Sequence, residues 1–284
     1  MSTTKLTVSY SGGKDSTAML HVLLDRAEDI AAVIEFRTGW EFDEMTEHRE
    51  LVEQKTGLKI IPVQPAVPLD FQFAHMPIRA SKDYPEEGVG KGEIRYYGYG
   101  WPSATRRWCT DIKTRGLDAV AKRVCPGGVQ CIGFAADESH RCKTKSQQKM
   151  QERGRVRYPL IEAGIVESDA LAMCHALGYD WSGLYEHFSR VSCFCCPLQS
   201  LPDCRALREH YPHYWQRMLA MQAACPGHDR EFKRHDSVQD LDQRFATEDR
   251  AVAAGLPRRV VERKSWLARV SLFTAEQAEE TTDG

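Results

Sequence analysis

No apolar run in the 284 residues approaches the length needed to span a bilayer, and the polar start Met1-Ser2-Thr3-Thr4-Lys5 has no secretory h-region. No membrane association is expected, and a cytoplasmic location is. A dominant charge is missing too. At −2 overall, no global field commits the chain to nucleic acid or membrane, so any polyanion site must be local. Internal repeats and low-complexity tracts are absent, which argues against a solenoid. What the chain does carry is cysteine, ten in all. In a reducing compartment clustered cysteines point to metal binding or catalysis rather than to a disulfide framework. A hydrophobic content of 42% supports a full core, as one large domain or one domain with an appendage.

The most informative segment is Ser11-Gly12-Gly13-Lys14-Asp15-Ser16, directly after the alternating run Lys5-Leu6-Thr7-Val8-Ser9-Tyr10. Two glycines after a strand predict a sharp turn, and the apolar residues from Thr17 to Leu24 predict a helix. Successive backbone N–H groups and a helix N-terminus at one place make an anion cradle. The hydroxyls of Ser11 and Ser16 add donors, and Lys14 offers a mobile charge to a polyphosphate. The spacing is neither that of the Walker loop nor that of the dinucleotide fingerprint.

Residues 30–36 and 58–63 read as buried parallel strands with a helix at 44–55 between them, and 128–134 reads as a later strand after an amphipathic run at 111–124. This predicts a doubly wound, mainly parallel α/β sheet, with ligands beyond the carboxyl ends of its strands. Residues 64–107 show little period and read as a long loop, a substrate lid or an ordinary surface excursion. From Glu167 the pattern turns helical, with segments at 170–177, 181–188 and 201–224, then polar beyond His228, and the last dozen residues read as frayed. The expected division is a nucleotide-binding α/β domain at 1–165 and a helical, cysteine-bearing extension at 166–284.

Ser-Gly-Gly-x-Asp-Ser resembles the PP-loop of enzymes that split ATP between the α and β phosphates, and of sulfonucleotide reductases. Arg37-Thr38-Gly39-Trp40-Glu41-Phe42-Asp43-Glu44 is similar to the Asp-Thr-Gly-x-x-Phe-x-Glu element of phosphoadenylyl sulfate (PAPS) reductases, with Arg37 where Asp is usual. Arg106 to Lys113 resembles their segment of a cysteine followed by a phosphate-facing Lys. Gly133 to Arg141 resembles Gly-x-Arg-x-x-Glu-Ser, with Ala135 where Arg is common. The chain is thus identified as similar to the PAPS reductase-like family over roughly residues 5 to 220. The resemblance implies a HUP-like fold with nucleotide-binding residues Ser11, Gly12, Gly13, Lys14, Asp15, Ser16, Thr38 and Gly39. It implies catalytic roles for Asp15, Lys113 and Arg141, and ATP with Mg2+ as ligands.

Ser192-Cys193-Phe194-Cys195-Cys196-Pro197 is the other sharp signal. A Cys-x-x-Cys before Pro lets two thiolates reach one centre, although the motif alone also fits a redox pair or a zinc corner. The family resemblance implies an iron–sulfur cluster, of the 4Fe-4S type, on Cys109, Cys193 and Cys196. Cys195 or Cys204 would be the fourth ligand, unless the fourth iron stays open to sulfide. Cys125, Cys131, Cys142, Cys174 and Cys225 read as core or incidental thiols.

Basic residues gather at Arg141, Lys143, Lys145, Lys149, Arg153, Arg155 and Arg157, a solvated face or a phosphate-binding one. Sulfonucleotide reductases use a C-terminal Glu-Cys-Gly-type nucleophile, whereas the last cysteine here is Cys225 in Ala224-Cys225-Pro226-Gly227. The resemblance is therefore strongest to the ATP pyrophosphatases of DNA phosphorothioation, with tRNA thiolation enzymes close behind. It implies adenylylation, pyrophosphate release and sulfur transfer to nucleic acid, with a cysteine desulfurase as donor. Reduction of a sulfonucleotide to sulfite, and a non-catalytic nucleotide or iron–sulfur sensor, are the alternatives.

Overall fold

The structure is a computed structural model and describes residues 4–103, 105–225 and 231–255. The chain opens with β1 (Leu6–Tyr10), α1 (Lys14–Asp25), β2 (Ile30–Phe36), α2 (Glu44–Thr56) and β3 (Ile60–Val63). It continues through α3 (Leu69–Ala74), the hairpin strands β4 (Pro77–Arg79) and β5 (Ile94–Tyr97), α4 (Trp108–Val124) and β6 (Val129–Ile132). A 3-10 segment (Ala136–Lys143), α5 (Lys145–Glu152), β7 (Val156–Arg157) and α6 (Pro159–Ala163) complete the α/β part. Five helices follow: α7 (Glu167–Ala176), α8 (Leu184–His187), α9 (Leu201–His210), α10 (Pro212–Ala224) and α11 (Val238–Ala253).

The main sheet is parallel throughout, in the order β3-β2-β1-β6-β7. Chain order reverses between β1 and β6, so the carboxyl end of β1 lies at the topological switch point, where such sheets bind ligands. Both faces are covered, which is why the strands read as nearly continuous apolar runs. Val8 pairs in register with Val33 and Cys131, and these side chains join the large core with Ala18, Met19 and Leu23 of α1. Ala32, Ile34 and Phe36 point the other way and pack with Val63 and Leu117 of α4. The large core also takes in Trp181, Cys204, Trp215 and Phe245, so one contiguous core crosses residue 165. The doubly wound sheet with a helical, cysteine-bearing C-terminal region agrees with expectation. Among the described residues no helix is long and apolar enough to cross a membrane.

Three local differences have physical causes. Residues 64–107 hold α3 and an antiparallel hairpin rather than an irregular lid, and Trp101 is fully buried against Phe73 and Phe232. The hairpin strands are exposed or half-buried, so they lack the apolar alternation that marks a core strand. The run at 201–224 breaks into α9 and α10 at Tyr211, because Pro212 starts a new helix at a position where it needs no N–H. Helix α11 lies in the segment read only as polar; its start is a capping box of Ser237 with Asp240. The final dozen residues lie outside the described ones.

His48 of α2 sits beneath the switch point. Its Nε2 lies 3.0 Å from Tyr10 Oη and 3.1 Å from Thr17 Oγ1, and its ring stacks on Trp181 at 4.5 Å. Burial, aided by Arg49, pushes its pKa down to about 3 from 6.5. The folded protein holds this ring neutral while the unfolded chain protonates it. Its contribution is therefore complete above pH 6.5 and lost as pH falls toward 3. Urea unfolding of the wild type and His48→Gln should show a stability difference that shrinks by up to about 1.4 kcal/mol per pH unit across that window. A difference independent of pH would mean that His48 is not held neutral.

Candidate functional site

The loop after β1 is built for close backbone approach. Gly12 has φ +78°, and a Cβ there would fall 2.3 Å from Met45 Cε. Ser16 closes the turn: its Oγ accepts from Ser11 N–H at 3.2 Å and Ser11 Oγ at 3.1 Å, and donates to Gly13 O at 3.0 Å. Gly133, just past β6, lies so near α1 that a Cβ would sit 3.1 Å from Asp15 O. The second strand of the switch point thus abuts the loop directly.

The loop is held from far along the chain. Trp181 Nε1 donates to Gly12 O at 2.7 Å, and Tyr185 Oη accepts the Lys14 N–H at 2.8 Å. The polar ends of these two aromatics grip the phosphate-type loop. Nothing local in the sequence signals this, because both bonds cross more than 160 residues.

Lys14 is buried rather than mobile. Its Nζ donates to Glu167 Oε2 at 2.8 Å and Asp15 Oδ2 at 3.1 Å; burial pulls its pKa down, and these two carboxylates more than reverse the effect. The Asp15 carboxyl is pushed up by burial against the opposing pull of Lys14, and Glu167 and Glu138 push it further. Asp15 Oδ1 is buried with no hydrogen-bond partner among the described residues. A desolvated carboxylate oxygen without a donor, beside an anion-type loop, is the ligand a hard cation such as Mg2+ takes. Arg141, expected at the phosphates, forks onto Glu138 at 2.9 and 2.7 Å and lies 4.1 Å over the Phe134 ring.

The turn after β2 is organised by Glu41, which sequence reading left without a role. Its carboxylate accepts from Thr38 N–H (2.8 Å), Thr38 Oγ1 (2.6 Å) and Gly39 N–H (2.9 Å). Arg37, in the place of a usual Asp, donates to the buried Glu35 at 2.9 Å, so the substitution is absorbed by an acid of β2.

This turn meets the cysteine segment. Glu41 and Cys193 form an isolated antiparallel bridge, Phe194 N–H donates to Trp40 O at 2.9 Å, and Thr38 Oγ1 lies 3.5 Å from Cys193 Sγ. Trp40 also packs edge-on against Trp108, which delivers the neighbouring Cys109 at the start of α4. Lys113, one turn further along α4, acts electrostatically on Cys193.

All ten cysteines are free thiols. Burial pushes Cys193 up to about 12, with Glu41 and Cys196 adding to the rise, and Cys204 up to about 11. Burial also raises Cys109 and, by a wide margin, Cys195. Cys109, Cys193, Cys195 and Cys204 all feel the Cys196 thiol. Cys196 is thus an electrostatic neighbour that these four thiols share. Cys195 also feels Arg217 and Asp70. Among the described residues no three His, Cys, Asp or Glu side chains are placed to grip one metal ion.

The family described as phosphoadenosine phosphosulfate reductase domain matches residues 5–198. An uncharacterized protein of Methanocaldococcus jannaschii is 24% identical over 216 residues, which is 74% of this chain and 40% of that protein, so the chain spans well under half of its relative. The U34-tRNA thiolase NcsA from Methanococcus maripaludis, solved with its 4Fe-4S cluster, is 14% identical with a TM-score of 0.42, covering 87% of this chain and 74% of that one.

Trp181→Phe removes the donor to Gly12 O together with the five-membered ring of the buried indole. It should cost at least about 1–3 kcal/mol of stability, the penalty for the unpaired buried carbonyl alone, and weaken nucleotide binding in titration calorimetry. Unchanged affinity would show that the loop keeps its shape without this anchor.

Proposed function

The chain belongs to the phosphoadenosine phosphosulfate reductase domain family, and on that premise we propose that it binds ATP, adenylylates an oxygen of its substrate with release of pyrophosphate, and so drives sulfur transfer, with nucleic acid as the acceptor. The observation that carries the reading is the bridge of Glu41 to Cys193, which sets the thiol-rich turn at the same sheet edge as the phosphate-type loop. A nucleotide cradle and a thiol set at one edge suit chemistry in which phosphate activation and sulfur delivery follow each other.

Ser11 to Ser16 would cradle the polyphosphate, with Thr38 and Gly39 at the adenosine side. Asp15, through its unpartnered Oδ1, would hold Mg2+, which neutralises charge on the departing pyrophosphate. Lys113 and Arg141 would stabilise charge on the α-phosphate; for this Arg141 exchanges its Glu138 partner for phosphate oxygens. The acceptor oxygen attacks the α-phosphorus and the bond to pyrophosphate breaks. Hydrosulfide, released from a cysteine desulfurase persulfide by a reducing thiol, then attacks the activated carbon or phosphorus, and AMP leaves with the former acceptor oxygen. Cys109, Cys193 and Cys196, with Cys195 or Cys204, would hold an iron–sulfur cluster, which supplies thiophilic iron beside this chemistry.

The test is incubation of protein purified without oxygen with ATP and Mg2+, with and without DNA or tRNA, alongside adenylyl sulfate and a thiol. Pyrophosphate without sulfite is the expected outcome. Sulfite would make the protein a reductase, and nucleotide binding without turnover would make it a sensing module. Asp15→Asn should lower pyrophosphate release by about 100-fold or more, the scale on which one electrostatic stabiliser acts. Cys193→Ala should remove the brown iron–sulfur absorption; a variant that keeps its colour would take Cys193 out of the ligand set.

A further inference from the structure

Helix α5 is exceptional in this fold. It forms the crossover from β6 to β7, a place where a helix ordinarily buries an apolar stripe, yet it buries no side chain and carries one large apolar residue, Met150. Between Ser139 and Arg157 there is one acid, Glu152, against seven Lys or Arg. Among the described residues the ion pairs of this stretch engage Arg141 and Arg157. Lys143, Lys145, Lys149, Arg153 and Arg155 are exposed and enter none.

The helix is nevertheless fixed in place. Thr144 caps it through Gln147 N–H, and Tyr158 Oη donates to Gln147 Oε1 at 2.7 Å. Tyr158 in turn stacks on Phe134, the ring under Arg141. Arg141 forks onto Glu138, whose charge reaches Asp15, so the cationic strip starts at the rim of the phosphate-type loop.

We propose that this strip, Lys143 to Arg155, binds the phosphate backbone of a nucleic-acid strand and leads it to the candidate site. The inference rests on the sulfur-transfer reading only in taking that strand as the acceptor. Cations interleaved with amide and hydroxyl donors, here Ser146, Gln148 and Gln151, are what phosphate and sugar contacts need. A lipid surface would require an apolar face to insert, which one methionine does not provide. A protein partner would require an aromatic or aliphatic centre, which the strip also lacks. Eight residues of helix extend about 12 Å, the reach of three or four successive phosphates on one strand.

The test compares wild type with Lys143→Gln/Lys145→Gln/Lys149→Gln, and with a control of equal charge loss elsewhere, Lys82→Gln/Lys91→Gln/Lys122→Gln. Fluorescence anisotropy would follow binding to 30-nucleotide RNA, single-stranded DNA and duplex DNA across a salt series without ATP. The strip variant should bind at least about tenfold more weakly at 0.1 M salt, equally for unrelated sequences. Its log K against log salt should flatten by roughly two to three units. The control should change no more than about twofold, and the strip variant should keep its circular dichroism melt and its nucleic-acid-independent pyrophosphate release. Equal losses in both variants, no loss in either, no nucleic-acid binding by the wild type, or a preference for anionic vesicles would each overturn the proposal. Strip-dependent binding without ATP cleavage by the wild type would remove the sulfur-transfer reading and leave the strip. ATP cleavage with strip-independent binding would do the reverse.

Discussion

The indole N–H of Trp181 on Gly12 O, with Tyr185 Oη on the Lys14 N–H, is the contact on which the rest of the site depends. Within the glycine turn the Ser11 and Ser16 hydroxyls hold part of the shape, and further rigidity comes from outside. Trp181 stacks on His48 and meets Tyr185 edge-on, and His48 reaches Tyr10 and Thr17 on either side of the loop. The turn is thereby fixed from both faces. The segment that supplies the aromatics runs on within a few residues to Cys193, so the loop and the thiols share one support.

The electrostatics follow the same economy. Nearly every charge at the switch point has a partner of opposite sign: Lys14 with Asp15 and Glu167, Arg141 with Glu138, Arg37 and Arg49 with Glu35. Such pairing lets several ionised groups stand in a partly dry pocket at modest cost. Asp15 Oδ1 is the exception, a buried carboxylate oxygen with no hydrogen-bond partner among the described residues.

Much of this was legible in order of contiguity. β2 was read at 30–36 and found at Ile30–Phe36, because a strand buried on both faces leaves an unbroken apolar run. Ser11 to Ser16 was legible because six adjacent residues carry the whole turn. The hairpin of β4 and β5 was missed because exposed strands need no alternation, and α11 because its signal lay in a capping box rather than in its composition. At the site, the family resemblance pointed to Cys109 and Cys196 as partners, and the fold makes them electrostatic neighbours. Glu167, Trp181 and Tyr185 had no local signature; their roles exist only once distant turns are brought together.

The separation of those anchors also sets an order in time. During synthesis β1 and the glycine turn are made early, while the residues that hold them follow 169 and 171 positions later. Contacts of such span close late, after the intervening chain has paid its loop entropy. A nascent or truncated chain lacking residues 181 to 196 would thus carry the phosphate-type loop without its final shape. The loop takes its final shape only when the cysteine-bearing half has docked, so the two halves mature as one unit.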